Sequence, residues 1–497
     1  MPEKWDLADG RLAAPKSGVT VRMYHTGFGD CFLLALRADN GEPRYMLIDC
    51  GVIQRDAASK KRMEAIARDI AKATGNKLHI LVATHEHADH IDGFGYDESV
   101  FREMEIDDLW LAWTEDPTNL LAKELKQHYD KKIKALQLAV SQLKAVQSAH
   151  AEGIENLLAF YMTSGVSLFN NADVMAALRS WSKRKLERPQ DYRRPGEAPL
   201  KIPDVKGVKC YILGPPEDRK KIGMLENEKE IYPKGAALSE EAAFMAALSA
   251  AAGEEASEAD DHIFRLSAPF DNIFKISLQD AKSDCNSEFF RKYYGFEETD
   301  AGPKWRRIEN EWLAAADKLA LSIDKMTNNT SLVFALELTQ THPSKVLLFS
   351  GDAQVGNWLS WQDLEWPDEG SNHEKVTGKE LLRRTVFYKV GHHCSRNATL
   401  REKGLELMES SQLVAMIPVD EKYAKAKKPR SWAIPADELL KRLKAKTRGR
   451  VIRSDFIPSG ETPVMPDESS KAEWKEFLKN LSWDKGPDRL WIQYKIR

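Results

Sequence analysis

An apolar run, KLHILVA at residues 77–83, passes directly into THEHADHIDG, which holds three histidines and two aspartates. A continuous apolar run of this length is typical of a buried strand in the parallel sheet of an α/β protein. Residues two apart in an extended segment face the same side, so His85 and His87 can bind a single ion. A helix that starts after His87 places Asp89 and His90 in its first turn, facing the same pocket. Neutral imidazoles with a carboxylate suit zinc, manganese or iron, which predicts a metal site here.

Strand patterns at the two ends of the chain predict an α/β fold. Short apolar or alternating runs occur from residue 19 to 113 and again from residue 328 onward, whereas residues 117–162 keep the three-and-four spacing of a long helix. We therefore predict one fold in two halves with insertions between them. The predicted parts are a first half at 1–113, a helical insertion at 114–205, a core strand at 206–216, a second, partly flexible insertion at 217–327, and a second half at 328–497.

Composition and charge argue against several classes of protein. The 497 residues include 73 lysines and arginines and 76 aspartates and glutamates, so the net charge is −3 and the chain lacks the basic character of a general nucleic-acid binder. The five cysteines form no CxxC pair, which argues against a disulfide framework or a zinc ribbon. No run approaches the roughly 20 apolar residues of a membrane span, and we expect a cytoplasmic protein without membrane association.

Four motifs resemble, in order, those of the metallo-β-lactamase superfamily. They are YMLIDCG with Asp49, the HxHxDH sequence at 85–90, LLFSGDA with Asp352, and YKVGHHCS with His392 and His393. The turn TGFGDC and the sequence NNTSLVF are similar to motifs of the soluble metallo-hydrolase domain of ComEC-type competence proteins. The resemblance covers residues 19–113, 205–216 and 328–460, and leaves the two insertions unmatched.

This resemblance implies an αββα sandwich with helical insertions and two divalent metal ions, zinc or manganese. The implied ligands are His85 and His87 for the first ion, Asp89 and His90 for the second, and Asp352 as a bridge between them. One histidine of the GHH sequence would complete the second site; the family pattern suggests His392, and His393 is the alternative. Asp49 would orient a ligand histidine through a hydrogen bond.

One departure from the superfamily concerns the first ion. The superfamily normally supplies a further histidine from the strand around 208–216, where this chain reads VKCYILGPPED. Filling of the first site is therefore uncertain from the sequence. The histidines that could substitute in space are His25, His128, His150 and His262.

Our first functional hypothesis is a phosphodiesterase or nuclease that acts on nucleic acid or a nucleotide through a metal-activated hydroxide. Asp89 or Asp352 could take the proton from water, and Lys389 could neutralise a phosphate oxygen. The lysine-rich segment 425–453, which includes Lys427 and Lys428, could hold a polyanion by phosphate contacts.

Two further functions remain open from the sequence. The same metal chemistry attacks carbonyl groups, so a hydrolase of small esters, lactones or thioesters is the alternative. A scaffold is the third hypothesis, in which the insertions at 114–205 and 217–327 bind a protein partner. Fold alone does not decide among these functions.

Overall fold

The computed structural model describes residues 4–145, 155, 158–160, 171–224, 230, 278–283, 287–295, 326–367, 375–427, 432–458 and 463–497. The chain divides into two compact units. The first comprises residues 1–126, 159–234 and 324–497, and the second comprises residues 127–158 and 235–323. Most of the second predicted insertion, and much of the predicted long helix beyond residue 145, lie outside the described residues. The predicted domain boundaries stay a prediction.

Short strands occur throughout the first unit. Within the described residues they are β1 (Val19–Tyr24), β2 (Cys31–Arg37), β3 (Pro43–Cys50), β4 (Lys77–Val82), β5 (Glu105–Trp110), β6 (Leu200–Lys201), β7 (Val208–Gly214), β8 (Val333–Leu338), β9 (Lys345–Phe349), β10 (Glu365–Trp366), β11 (Val376–Thr377), β12 (Thr385–Lys389), β13 (Val414–Ile417), β14 (Val451–Arg453), β15 (Leu481–Trp483) and β16 (Trp491–Ile496). The strand predicted at 77–83 is confirmed as β4, and the core strand predicted at 206–216 coincides with β7. The other described strands, apart from β6, fall within the two strand-rich stretches predicted at 19–113 and from 328 onward.

The strands form two seven-stranded mixed sheets. The first sheet has the order β15-β16-β1-β2-β3-β4-β5, in which β3, β4 and β5 run parallel and the other neighbours run antiparallel. The second has the order β14-β13-β12-β9-β8-β7-β6, in which β9, β12, β13 and β14 run parallel. The last strand of the chain thus returns to the first sheet, where Val21 of β1 lies opposite both Leu34 and Tyr494.

Helices alternate with the strands. Within the described residues they are α1 (Ala57–Thr74), α2 (Ala88–Ile91), α3 (Glu98–Glu103), α4 (Leu120–Ala145), α5 (Asn171–Trp181), α6 (Arg219–Ile222), α7 (Leu278–Ala281), α8 (Ser287–Tyr293), α9 (Val355–Ser360), α10 (Gly378–Arg383), α11 (Glu421–Ala426), α12 (Asp437–Thr447) and α13 (Lys471–Lys479). Asp56 caps α1 by accepting a hydrogen bond from the Ser59 amide at 2.8 Å, and Gly75 ends it with φ 64°. None of the described helices is long and apolar enough to cross a membrane.

The two sheets share one apolar core. Phe32 of β2 contacts Phe349 of β9 with ring centroids 6.3 Å apart, and Trp110 of β5 contacts Phe334 of β8 at 6.2 Å. The other face of the first sheet packs against α1 and α5, and that of the second packs against α9, α10 and α12. Burial of each sheet on both faces explains the nearly continuous apolar runs of β4, β9 and β12. The fold is α/β with two large mixed sheets and helices.

Candidate metal centre

The residues of the predicted site meet at the carboxyl ends of parallel strands from both sheets. Asp49 is the next-to-last residue of β3 and His85 follows β4, two strands that run parallel in the first sheet. Asp352 follows β9 and His393 follows β12, which run parallel in the second sheet. Carboxyl ends of parallel strands lie at one edge of a sheet, so residues far apart in the sequence converge there.

The two histidines at the start of HxHxDH face each other. Both are buried, and the His85 Nε2 atom lies 3.0 Å from the Nδ1 atom of His87. The other ring nitrogen of His85 contacts the hydroxyl oxygens of Thr84 at 3.2 Å and Ser331 at 3.3 Å. A ring that donates its Nδ1 hydrogen to these hydroxyls presents the lone pair of Nε2 toward His87, as a metal ligand requires.

A second set of side chains surrounds the carboxylate of Asp89. His393 Nε2 lies 2.9 Å from Asp89 Oδ2, and His90 Nε2 lies 3.7 Å from the same oxygen. Asp352 Oδ2 is 3.2 Å from His90 Nε2. All four side chains are buried. Within the described part of the chain, Asp89 Oδ1, His90 Nε2 and Asp352 Oδ2 have no hydrogen-bond partner. Buried polar atoms without partners are rare, and a bound cation would satisfy these three.

Close backbone packing fixes the position of Asp89. A Cβ atom on Gly51 would lie 2.0 Å from the carbonyl carbon of Asp89 and 2.1 Å from the nitrogen of His90, so only glycine fits there. The Asp30 amide donates a hydrogen bond to the carbonyl oxygen of Asp89 at 2.8 Å. The TGFGDC turn and the residue after β3 therefore hold the HxHxDH loop from one side.

Several site residues have left-handed backbone conformations. Asp49 has φ 56°, and three successive residues after β12, His392, His393 and Cys394, have φ of 45°, 52° and 69°. Such conformations cost of order 1–3 kcal/mol for a residue other than glycine and cluster at functional sites. Contacts in the site compensate for this strain: the His392 amide donates to Asp352 Oδ1 at 2.8 Å, and His393 Nδ1 lies 2.7 Å from the Pro418 carbonyl.

Asp49 orients His90. Its Oδ1 accepts the Thr84 amide at 2.8 Å, and its Oδ2 accepts the Thr84 hydroxyl at 2.8 Å and lies 2.8 Å from His90 Nδ1. Because the carboxylate accepts at Nδ1, the hydrogen of His90 is on that nitrogen and the lone pair of Nε2 faces Asp352.

Lys389 is buried next to Asp352. Its ammonium forms an ion pair with Asp30, lies 3.3 Å from Asp352 Oδ1 and donates to the Gly351 carbonyl at 2.8 Å. Burial opposes its charge, but Asp30 and Asp352 raise the pKa of Lys389. No sequence pattern assigned a role to Asp30, Thr84 or Ser331. The sequence did contain a sign that Asp30 is functional, because this residue ends the GFGD turn directly before β2.

Negative charge exceeds positive charge in this cluster. Its buried carboxylates are Asp30, Asp49, Asp89 and Asp352, and its buried ammonium is Lys389. When all four carboxylates are ionised, three negative charges lack a fixed cation, and uncompensated charges are costly to bury. Burial opposes the charged form of His90, but in the absence of metal Asp352 and Asp30 raise the pKa of that histidine well above its usual value, so a metal ion that binds Nε2 would displace a proton from it. This excess of buried negative charge favours the binding of a cation.

Three overlapping groups of buried side chains could hold a metal ion. They are His85, His90 and Asp352; Asp89, Asp352 and His393; and Asp30, Asp49 and His90, with the ligand atoms of each group within 4.8 Å of one another. Burial lowers the pKa of His87 to about 4, so its ring is neutral at pH 7 and available as a ligand.

The two histidines of the GHH sequence have different surroundings. His393 lies in the cluster, whereas His392 belongs to none of the three groups found among the described residues and is partly exposed. The ring centroids of the two are 6.0 Å apart. His392 Nδ1 lies 3.0 Å from Ser395 Oγ and 3.3 Å from Gln354 Nε2.

An aromatic cluster adjoins the histidines. The ring of Phe28 lies 3.9 Å from that of His393 and within 5.7 Å of Tyr423 and Trp432. The ammonium of Lys427 lies 4.1 Å from the centroid of Tyr423 and 5.3 Å from that of Trp432. Lys428, the other lysine predicted to bind substrate, lies outside the described residues.

Phe160, from the predicted helical insertion, also contacts the site. Its ring lies 5.7 Å from that of His87, and its carbonyl accepts the Ala88 amide at 2.9 Å.

The strand at 208–216 supplies no histidine to the site. Its end is occupied by Gly214, and a Cβ atom added to this glycine would lie 2.0 Å from Asn357 Oδ1. Of the histidines that could substitute for the missing one, His150 and His262 lie outside the described residues.

No family model, curated protein or solved structure matches this chain.

Proposed function

We propose that this protein is a metal-dependent hydrolase of the metallo-β-lactamase superfamily that cleaves phosphodiesters of nucleic acid or nucleotides. The observation that carries this proposal is the buried cluster of four carboxylates, one ammonium and several imidazoles at the carboxyl ends of parallel strands. Two sheets that share one core and pack helices on their outer faces are consistent with the αββα sandwich of that superfamily.

The residues present fit two divalent ions, zinc or manganese. His85 and His87 would hold one ion together with Asp352, and Asp89, His90 and His393 would hold the other with the same carboxylate. When bound, such ions supply Lewis acidity and lower the pKa of water toward neutrality. The mixed imidazole and carboxylate donors suit either metal.

The remaining residues of the cluster position these groups and handle protons. Asp49 keeps the hydrogen of His90 on Nδ1. Lys389, together with Asp30, fixes the position of Asp352. The positive charge of Lys389 therefore acts on the Asp352 carboxylate and not directly on a substrate oxygen. Asp89 or Asp352, each of which would also bind metal, would take the proton of an attacking water.

The aromatic cluster supports a nucleotide substrate. Trp432 and Tyr423 are partly exposed, and Lys427 adds a positive charge directly over their rings. Aromatic rings stack on bases and a cation contacts phosphates, which is the usual combination in sites for single-stranded nucleic acid. The net charge of −3 favours a short substrate over a long duplex.

A substrate panel tests this proposal. The purified chain with zinc or manganese should hydrolyse bis(p-nitrophenyl) phosphate and at least one of single-stranded DNA, RNA or a cyclic dinucleotide. Asp352→Asn should abolish this hydrolysis. Asp69→Asn is the matched control, because the partly buried Asp69 also accepts hydrogen bonds, from the buried side chains of Arg22 and Tyr24, but lies outside the cluster. Turnover of esters or lactones without cleavage of any phosphodiester would overturn the substrate assignment.

A further inference from the structure

Two residues of the predicted helical insertion, Phe160 and Asn171, contact the HxHxDH loop at three successive residues. The ring centroid of Phe160 lies 5.7 Å from that of His87, and the Phe160 carbonyl accepts a hydrogen bond from the Ala88 amide at 2.9 Å. The side chain of Asn171, the first residue of α5, donates to the Glu86 carbonyl at 2.6 Å. Phe160 and Asn171 are both buried, so these contacts are shielded from water.

The carbonyl of Phe160 caps the short helix α2. His87 is the N-cap residue of this helix, and its side chain makes no capping hydrogen bond. The first amides of a helix have no partner within the helix, so a start without a side-chain cap needs an acceptor from elsewhere. Phe160 supplies this acceptor for the Ala88 amide. The helix that carries Asp89 and His90 is thus anchored to the insertion.

Asn171 joins the insertion segment to the loop. Its side-chain nitrogen lies 2.6 Å from the Glu86 carbonyl oxygen and 3.0 Å from the Phe160 carbonyl oxygen. Both carbonyls can only accept, which identifies the group that faces them as the NH₂ of the side chain. The guanidinium of Arg55 holds the same segment by donating to the Ala159 carbonyl at 3.1 Å.

We propose that Phe160 and Asn171 are positioning residues of the metal centre, which fix the ring of His87 and thereby the binding of one of the two ions. This inference rests on the proposed function, in which His85 and His87 hold one ion. The ring of Phe160 is itself held by Trp432, on which it stacks with centroids 5.8 Å apart. Groups around the ligands of a metal site orient those ligands, and their loss weakens metal binding.

Calorimetric titration of the metal-free protein with zinc or manganese tests this role. Phe160→Ala removes the ring but keeps the carbonyl that caps α2, so the affinity for one of the two metal equivalents should fall by about 10-fold or more. The other equivalent should bind as in the wild type. Phe160→Leu retains most of the apolar volume and should recover part of the loss. Asn171→Leu removes both hydrogen bonds at a similar side-chain size and should weaken the same equivalent.

Phe477→Ala is the matched control, because Phe477 of α13 is also buried but packs against Trp474 and Tyr494. It should lower the melting temperature and leave both metal affinities unchanged. A selective loss of one equivalent therefore separates positioning from a general loss of stability.

Wild-type affinity for both equivalents in Phe160→Ala would overturn the inference, as would the same loss of affinity in Phe477→Ala or a wild type that takes up neither metal. If Phe160→Ala does not fold, the affinities of Asn171→Leu decide the question in the same way. A wild-type protein that binds two ions but cleaves no phosphodiester would refute the proposed function, and the metal affinities of the variants would still decide the role of Phe160 and Asn171.

Discussion

Replacement of Asp49 by asparagine tests how the cluster controls the ring of His90. The carboxylate of Asp49 accepts three hydrogen bonds, two from Thr84 and one at His90 Nδ1, all at 2.8 Å. Asparagine has one acceptor oxygen, so its NH₂ group must face either Thr84 or His90. In the second case the hydrogen of His90 moves to Nε2 and the lone pair toward Asp352 is lost.

The magnitude follows from the role of this contact. Loss of a carboxylate that orients a ligand histidine lowers metal affinity by about 10- to 100-fold, which corresponds to about 1.4–2.7 kcal/mol. At a fixed saturating metal concentration, the stabilisation that metal confers on the folded chain should fall by the same amount. Without metal the destabilisation should be smaller, because removing one of four buried carboxylates relieves repulsion and offsets part of the lost hydrogen bonding.

The assay is calorimetric titration of metal-free protein with zinc or manganese, together with urea unfolding with and without metal. Asp69→Asn is again the matched control and should leave metal affinity unchanged. If Asp49→Asn binds metal as tightly as the wild type, or is destabilised equally with and without metal, the orienting role of Asp49 is refuted.

Three further changes have defined outcomes. Burial, and to a smaller extent the charge of Arg44, lowers the pKa of His79 to about 4. The neutral ring therefore contributes fully to the stability of the fold above about pH 6.5, and this contribution is lost as the pH falls toward 4. His79→Gln should therefore flatten the decline in unfolding free energy over that window in urea titrations, and an unchanged slope would contradict this. Gly51→Ala should displace Asp89 and lower both melting temperature and metal content, whereas Gly223→Ala, with its nearest atom at 3.3 Å, should change neither. Lys427→Gln should weaken oligonucleotide binding and reduce its salt slope by about one, whereas an unchanged slope would exclude a phosphate contact.

Local patterns predicted the strands and the residues that follow them. The apolar run of β4 and the spacing of His85 and His87 carry enough information to place two imidazoles on one side of an extended segment. Asp352 and His393 follow apolar runs of the same kind. Convergence of strand ends from two sheets then depends on long-range packing, which explains why the sequence indicated the members of the cluster but not its distances.

Such local patterns could not predict the contacts between distant segments. The choice between His392 and His393 depends on a left-handed turn of three residues other than glycine, which local preferences disfavour. Lys389 resembles any lysine at a strand end until Asp30, 359 positions earlier in the chain, is placed against it. The contact of Phe160 with His87 could not be foreseen either, because residue 160 belongs to a segment whose pattern is simply helical.

The metal content of the purified chain tests the central claim most directly. After dialysis against metal-free buffer, the wild type should retain about two equivalents of zinc or manganese by elemental analysis, as a dinuclear site requires. Asp352→Asn should retain clearly less, since both groups of ligands share that carboxylate, and Asp69→Asn should match the wild type. A wild-type chain that takes up no divalent metal, or an Asp352→Asn variant with the full metal content, would contradict the assignment of this cluster as a metal centre.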